Sequence, residues 1–237
     1  MQTIKCKKCG SYEYSKAGFV NSKQRYKCKR CHSFFLPGKQ TRYSHHKRLL
    51  LVKLYTEGNC IRSIGRLLGI SHVTAIRWIR LMAKKLRPPT PTYAKHIEID
   101  ELYFYVGSKK RKHWLWLAIC RDTKRILEFC TGGRGTKTLQ KLYNRISPIQ
   151  CERYYTDRHA PFAKVLPAEK HRNHPNQTNT IEGINSAVRH YLARFRRRSK
   201  CYSKSIAIME ASIILLMHII DAKFHKKVSL SESPGWR

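Results

Sequence analysis

At Arg87-Pro-Pro-Thr-Pro-Thr the hydrophobic period of this chain changes, and that change limits what it can fold into. Upstream, Leu49, Val52, Leu54 and Tyr55, then Ile61, Ile64, Leu67 and Leu68, recur at helical steps. Downstream, Ile97–Val106, His113–Arg121 and Arg125–Thr131 are runs of aliphatic and aromatic residues broken by Gly107-Ser-Lys-Lys and Asp122-Thr-Lys, the pattern of strands. The prolines end a helix and set a short stiff spacer, 87–94. A helix at 136–146 follows, carried by Leu139, Leu142 and Ile146, then a short strand, Arg153–Thr156, that ends on Asp157. Three strands, a helix, a fourth strand and later helices match the order of a ribonuclease H-like domain over 95–224.

The segment before the spacer reads as a helix-turn-helix over 44–86. Gly69 supplies a left-handed turn, Ile70 enters the core and Ser71 caps the next helix. In that helix Val73, Ile76 and Ile79 are expected inward, leaving His72, Thr74, Ala75, Arg77 and Arg80 outward, where a major groove would meet them. An ordinary helical hairpin is the alternative.

Further upstream, Cys6-Lys-Lys-Cys9 and Cys28-Lys-Arg-Cys31 are two CxxC knuckles with eighteen residues between them. That spacing lets two turns present four thiolates to Zn2+ in a structural zinc ribbon over 1–40. Tyr12, Tyr14, Phe19 and Tyr26 alternate with polar residues between the knuckles. A module this small needs the metal for its folding free energy. Redox cysteines are the rival reading. The lysines and arginines around the knuckles suit phosphate contact or simple solvation equally.

Charge narrows the partner. Forty-nine Lys and Arg stand against fourteen Asp and Glu, a formal charge of +35, with a pI near 10.3. Such an excess attracts polyanions, nucleic acid ahead of an anionic membrane. The longest apolar run, 211–220, is too short to span a bilayer and reads as a core helix. The opening MQTIKCKKCG lacks the apolar stretch of a secretory leader, so a cytoplasmic setting is expected. Nine cysteines, an odd number, fit metal ligation and reduced thiols better than a disulfide framework.

Against that basic background a few acids stand out. Asp100 lies within the first long strand, Asp157 closes the fourth, and Glu182 opens a helix whose Ile181, Ile184, Val188, Leu192 and Phe195 mark a buried face. Converging carboxylates can hold Mg2+ or Mn2+ for phosphodiester cleavage. Glu98, Glu101 and Asp122 compete for the role, and a salt bridge is the plain alternative for each acid.

These residues resemble the insertion-sequence-one transposases of bacteria and archaea. The likeness runs through the CxxC ribbon, the helix-turn-helix, Ile99-Asp100-Glu101, Tyr105-Val106-Gly107-Ser-Lys with Trp114 after it, and Thr156-Asp157. It continues in Ile181-Glu182-Gly-Ile-Asn185, Arg189, His190-Tyr-Leu-Ala-Arg194 and Ser203-Lys204-Ser205, with twenty-four residues between Asp157 and Glu182. The chain departs from the family's pattern at Asp157-Arg-His-Ala-Pro-Phe, where Gly-Trp is frequent, and at Gly183, where a basic residue is common.

The resemblance implies a DDE transposase. Asp100, Asp157 and Glu182 would carry the metal ions, and Arg189, two turns along the helix from Glu182, would hold DNA phosphate. Terminal inverted repeats and target DNA would be its partners, and it would act as a homo-oligomer on paired ends. Arg196, Arg197, Arg198 and Lys200 form an expected DNA clamp. A DNA-binding repressor or domesticated relative without strand transfer is the rival. The tail, 225–237, carries no usable pattern.

Overall fold

A computed structural model of the chain describes residues 4–37, 43–173, 177–197 and 201–225. The chain divides into two compact units, Met1–Ser44 and His45–Arg237.

The first unit is a three-stranded antiparallel sheet in the order β1 (Tyr14–Val20), β2 (Lys23–Cys28), β3 (Phe34–Phe35). Asn21 and Ser22, both at positive φ (50° and 59°), close the β1–β2 hairpin as the twist of paired strands favours. Tyr14, Tyr26 and Phe35 pack ring to ring beside Cys6 and Cys28 and make up the small core. Tyr12 and Phe19 face solvent.

The second unit begins with α1 (His45–Thr56), α2 (Ile61–Leu68) and α3 (His72–Leu86). Gly69 does take the left-handed conformation (φ 59°), and the Ser71 hydroxyl accepts from the Thr74 N–H at 3.1 Å. The inward face of α3 differs from the expected one. Ala75 is fully buried and Val73 is 63% exposed. Trp78, Ile79, Met82 and Ala83 must be covered, and satisfying that stripe turns Val73 out. The stripe packs on the last helix, α7 (Ile206–His225), where buried Tyr55 of α1 also meets Ser212, at 2.5 Å. The apolar run 211–220 is therefore core: Ala211, Ile213, Leu215, Leu216, Met217 and Ile220 are all buried. Among the described residues no helix is long and apolar enough to cross a membrane.

The proline segment is tied down along its length. Arg87 makes a two-pronged pair with Glu128 (2.8 and 3.0 Å), and Thr90 donates to the same carboxylate. Ala94 N–H donates to Gln150 O, and Gln150 N–H to Thr92 O.

A mixed five-stranded sheet follows, of the kind a ribonuclease H-like domain has. Its strands are β4 (His96–Val106), β5 (Ser108–Cys120), β6 (Ile126–Gly132), β7 (Arg153–Tyr155) and β8 (His171–Arg172), ordered β6-β5-β4-β7-β8. β4, β5 and β6 are antiparallel neighbours, whereas β7 and β8 run parallel to β4. Side chains alternate across this sheet. Ile97, Ile99, Trp116 and Ala118 pack one face on α4 (Thr136–Ile146) and α5 (Ala160–Val165). Glu98, Asp100 and Phe104 turn to the opposite face, toward α6 (Asn179–Tyr191) and the 3-10 turn Ala193–Phe195. All five apolar positions expected on the buried face from Ile181 to Phe195 are buried, although the α-helix itself stops at Tyr191. α5 and β8 had no legible sequence signal.

Candidate active site

β7 pairs with β4 over three residues, His96 with Arg153 through Glu98 with Tyr155. Two more positions of the same register bring Asp157 opposite Asp100. Past Glu98 that edge of β4 pairs with no strand until Val106 bridges Ser203, so Asp100 and its neighbour Glu101 can both reach the end of β7. The ligand oxygens of Asp100, Glu101 and Asp157 lie within 4.8 Å of one another.

This cluster is held from several sides. Asn185 Nδ2 donates to Asp100 Oδ2 at 2.6 Å, and the Glu101 N–H donates to Asp100 Oδ1 at 2.7 Å. Arg134 Nε donates to Glu101 Oε1 at 2.8 Å, while Glu101 Oε2 is buried with no partner. The His159 N–H donates to Asp157 Oδ1 at 2.9 Å, and the His159 ring bonds Arg134 O and stacks on Trp116. Burial, then the charges of Glu101, Asp157 and Glu182, push the Asp100 carboxyl up to about 7. Burial also raises Glu101, against the pull of Arg134.

Glu182 is close enough to act on Asp100 through its charge, yet it stands outside the cluster of three. It is exposed on the first turn of α6, and Thr178 Oγ1 donates to its Oε1 at 3.2 Å. The competing acids separate cleanly. Glu98 is buried and accepts from Arg121 Nε at 2.6 Å and from the Ile181 N–H at 2.8 Å, which pins the start of α6 to the sheet. Arg121 also bonds Gln177 O and lies over the Tyr155 ring. Asp122 faces His96 at 3.5 Å at the other end of β4. Glu101 joins the cluster, and Asn185, Arg134 and His159 hold it. A sequence signal existed for Asn185 alone, which follows Glu182 by three residues on one helix face.

The basic residues fall into distinct settings. Arg189 is half-buried on α6, its Nε without a partner, and burial followed by the neighbouring charge of Arg197 depresses its pKa. Arg196 is exposed and donates to His190 O at 2.9 Å. Arg197 lies over the Tyr103 ring, 5.0 Å from its centroid. Arg198 and Lys200 lie outside the described residues. On α3, His72 and Arg77 are exposed, Thr74 is drawn into the Ser71 cap, and Arg80 reaches Ser205 Oγ at 3.5 Å. Arg62, Arg66, Gly69 and Ser71 line a shallow pocket of about 490 Å³ beside His72.

Both ligand sets suit a metal. Three carboxylates, one with an unpartnered buried oxygen and one with its proton affinity raised by burial and then by like charges, fit a hard divalent cation, which would relieve the repulsion. In the first unit Cys6 Sγ lies 3.5 Å from Cys31 Sγ, and Cys9 Sγ 3.6 Å from Cys28 Sγ. Thiolates bound tetrahedrally at about 2.3 Å would be separated by about 3.8 Å. The two knuckles share a backbone form: Cys6 N–H donates to Ser11 O and Cys28 N–H to Ser33 O, with Gly10 and His32 at positive φ. Hydrogen bonds from the Ser33 side chain and backbone hold the Cys31 thiol down at about 6.

The insertion element iso-IS1n protein InsB of Shigella dysenteriae is 32% identical over 116 residues, 49% of this chain and 88% of that protein. The insertion element IS1 4 protein InsB of Escherichia coli K12 is 32% identical over 138 residues, 55% of this chain and 83% of its own length. A simian T-cell lymphotropic virus intasome in complex with a PP2A regulatory subunit matches at 12% identity and TM-score 0.40, over 77% of this chain and 71% of the other, too loosely to carry an argument. Residues 95–225 match the family described as IS1 transposase. With its carboxylates drawn together at the end of a mixed sheet and more than half its length within that match, the chain belongs to the IS1 transposase family.

Proposed function

We propose that this transposase binds the terminal inverted repeats of its insertion sequence, cuts the phosphodiester there, and joins the freed 3′-hydroxyl to target DNA by in-line displacement. The observation that carries the reading is the meeting of Asp100, Asp157 and Glu101 within 4.8 Å.

Asp100 and Asp157 would hold Mg2+ or Mn2+, with Glu182 as the further ligand on the α6 side. When bound, such ions supply Lewis acidity and lower the pKa of water. The protein's own part is placement. Asn185 and the Glu101 N–H fix the Asp100 carboxylate, and the His159 N–H fixes Asp157. Arg189, with an unpaired buried Nε on the same helix, would receive a phosphate oxygen.

The remaining assignments follow from chemistry at each place. His72, Thr74, Arg77 and Arg80 of α3 would meet the end sequence, with Arg196, Arg197, Arg198 and Lys200 along the backbone. Residues 1–40 would be a zinc ribbon, with Zn2+ on Cys6, Cys9, Cys28 and Cys31; 44–86 the DNA-reading segment; 87–94 the connector; and 95–224 the catalytic part. Two ends must meet for the element to move, so a homo-oligomer is expected on paired ends.

Strand transfer of a labelled duplex carrying the element's end, with magnesium or manganese, tests this. Joined product from the wild type, its loss in Glu182→Gln and DNA binding retained in that variant are the expected results. A wild type that binds the ends and never cuts would overturn the reading and favour a repressor; cut ends without joined product would leave a nuclease.

A further inference from the structure

The β4–β5 hairpin carries an ordered row of rings and cations. Tyr103 pairs with Trp114 and Tyr105 with Lys112 across the two strands, on the same face as Glu101. The Tyr103 ring meets Trp114 (centroids 5.8 Å, 68°) and Tyr105 (5.7 Å, 67°). Arg197 lies over Tyr103 at 5.0 Å, Lys112 over the same ring at 5.4 Å, and Arg134 over Trp114 at 4.7 Å. Beyond them Lys109, Lys110 and Arg111 are exposed at the tip. From Tyr103 to His113 the sequence holds no acid.

A run of charges is ordinarily a loose, hydrated surface. Here the rings take up two guanidinium groups and the ammonium of Lys112, which holds those cations in set positions. Among the described residues neither Arg197, Lys112 nor Arg189 forms an ion pair, and the buried Nε of Arg189 has no partner. Like charges gathered around one ring repel until an anion arrives. The row also begins at the acids, because Arg134 touches Glu101 and Trp114 alike.

We propose that this face of the β4–β5 hairpin is a DNA-backbone track, on which Tyr103 holds Arg197 and Lys112 in position for successive phosphates of the strand entering the acidic cluster. The inference deepens the transposase reading and rests on it for the identity of that cluster. Tyr103 acts here as a positioning residue, through the cations it carries.

Equilibrium binding of the full chain to a fluorescent duplex of arbitrary sequence, with no magnesium or manganese added and over a range of salt, tests the track apart from any cutting. Each phosphate left without its cation lowers the magnitude of the negative slope of log K against log salt by about 0.9. Arg197→Ala with Lys112→Ala is expected to lower it by about 1.8. Tyr103→Leu removes no charge and is expected to lower it by about 1, with Tyr103→Phe at the wild-type value. A ring that merely packs against its neighbours would leave the slope unmoved in Tyr103→Leu, which would overturn its positioning role. Wild-type slope in the Arg197–Lys112 double variant would overturn the track. Both cations are exposed, so that variant decides the matter even if Tyr103→Leu fails to fold. A wild type with the full slope that never cuts would count against the transposition chemistry and leave the track standing.

Discussion

Asn185 Nδ2 donates to Asp100 Oδ2 at 2.6 Å, tying the middle of α6 to the strand that carries two of the acids of the candidate site. One tie thus couples the position of α6, and with it Glu182 and Arg189, to the Asp100 carboxylate. Replacing Asn185 with Ala should leave Asp100 free to turn. Partners behind a metal ligand typically matter by 10–100-fold in affinity or activity. Cleavage rate against magnesium concentration should show half-saturation displaced upward by about that factor. An unchanged titration would mean that Asn185 has no hand in placing the acid.

The pH dependence of stability has a definite sign at Asp100. Its folded pKa, about 7, is above the value of about 3.9 for an unfolded aspartate. The folded state therefore holds the proton more tightly. The stabilisation is complete below about pH 4 and is lost as pH rises to about 7. In metal-free protein Asp100→Asn should flatten that fall and raise Tm at pH 8. Calorimetry at pH 5 and pH 8 measures it, and an equal Tm difference between variant and wild type at both pH values would refute it.

The Glu98–Arg121 pair should matter through folding. Glu98 is buried, and Arg121→Met would leave its carboxylate uncompensated while also releasing the Gln177 carbonyl. Breaking such a pair costs about 3–5 kcal/mol. Urea unfolding should show a loss on that scale. A change under about 1 kcal/mol would place the pair with exposed ion pairs instead.

Zinc removal should act on one unit. Cys28→Ser takes a ligand from a module whose described core is three cysteines and a few aromatic rings. Limited proteolysis should then open residues before Ser44 while His45–Arg237, a separate compact unit, resists. Metal analysis should find about one zinc per wild-type chain, as four thiolates imply. Intact resistance of both units in Cys28→Ser would remove the structural role of the metal.

Much of the architecture was legible because it rests on local rules. The helical and strand periods before and after Arg87-Pro-Pro, the left-handed Gly69 with its Ser71 cap, the helix at 136–146 and the buried face from Ile181 to Phe195 all depend on residues a few positions apart. The inward face of α3 was misread at Val73 and Ala75, since the partner that covers Trp78 and Met82 is α7, more than a hundred residues away. α5 and β8 are too short to carry a period.

The chain's own order determined that acids would stand within one strand, at the end of another and at a helix start, and that four cysteines would face one another. Tertiary structure alone decided which acids meet. Glu98 and Asp100 sit two residues apart on one face, yet β7 pairs with β4 only as far as Glu98. Glu98 is consequently enclosed beneath α6 and neutralised by Arg121, while Asp100, just past the end of that pairing, is left beside Asp157 and Glu101. Where a neighbouring strand stops is set by long-range packing, and nothing within ten residues of Asp100 records it.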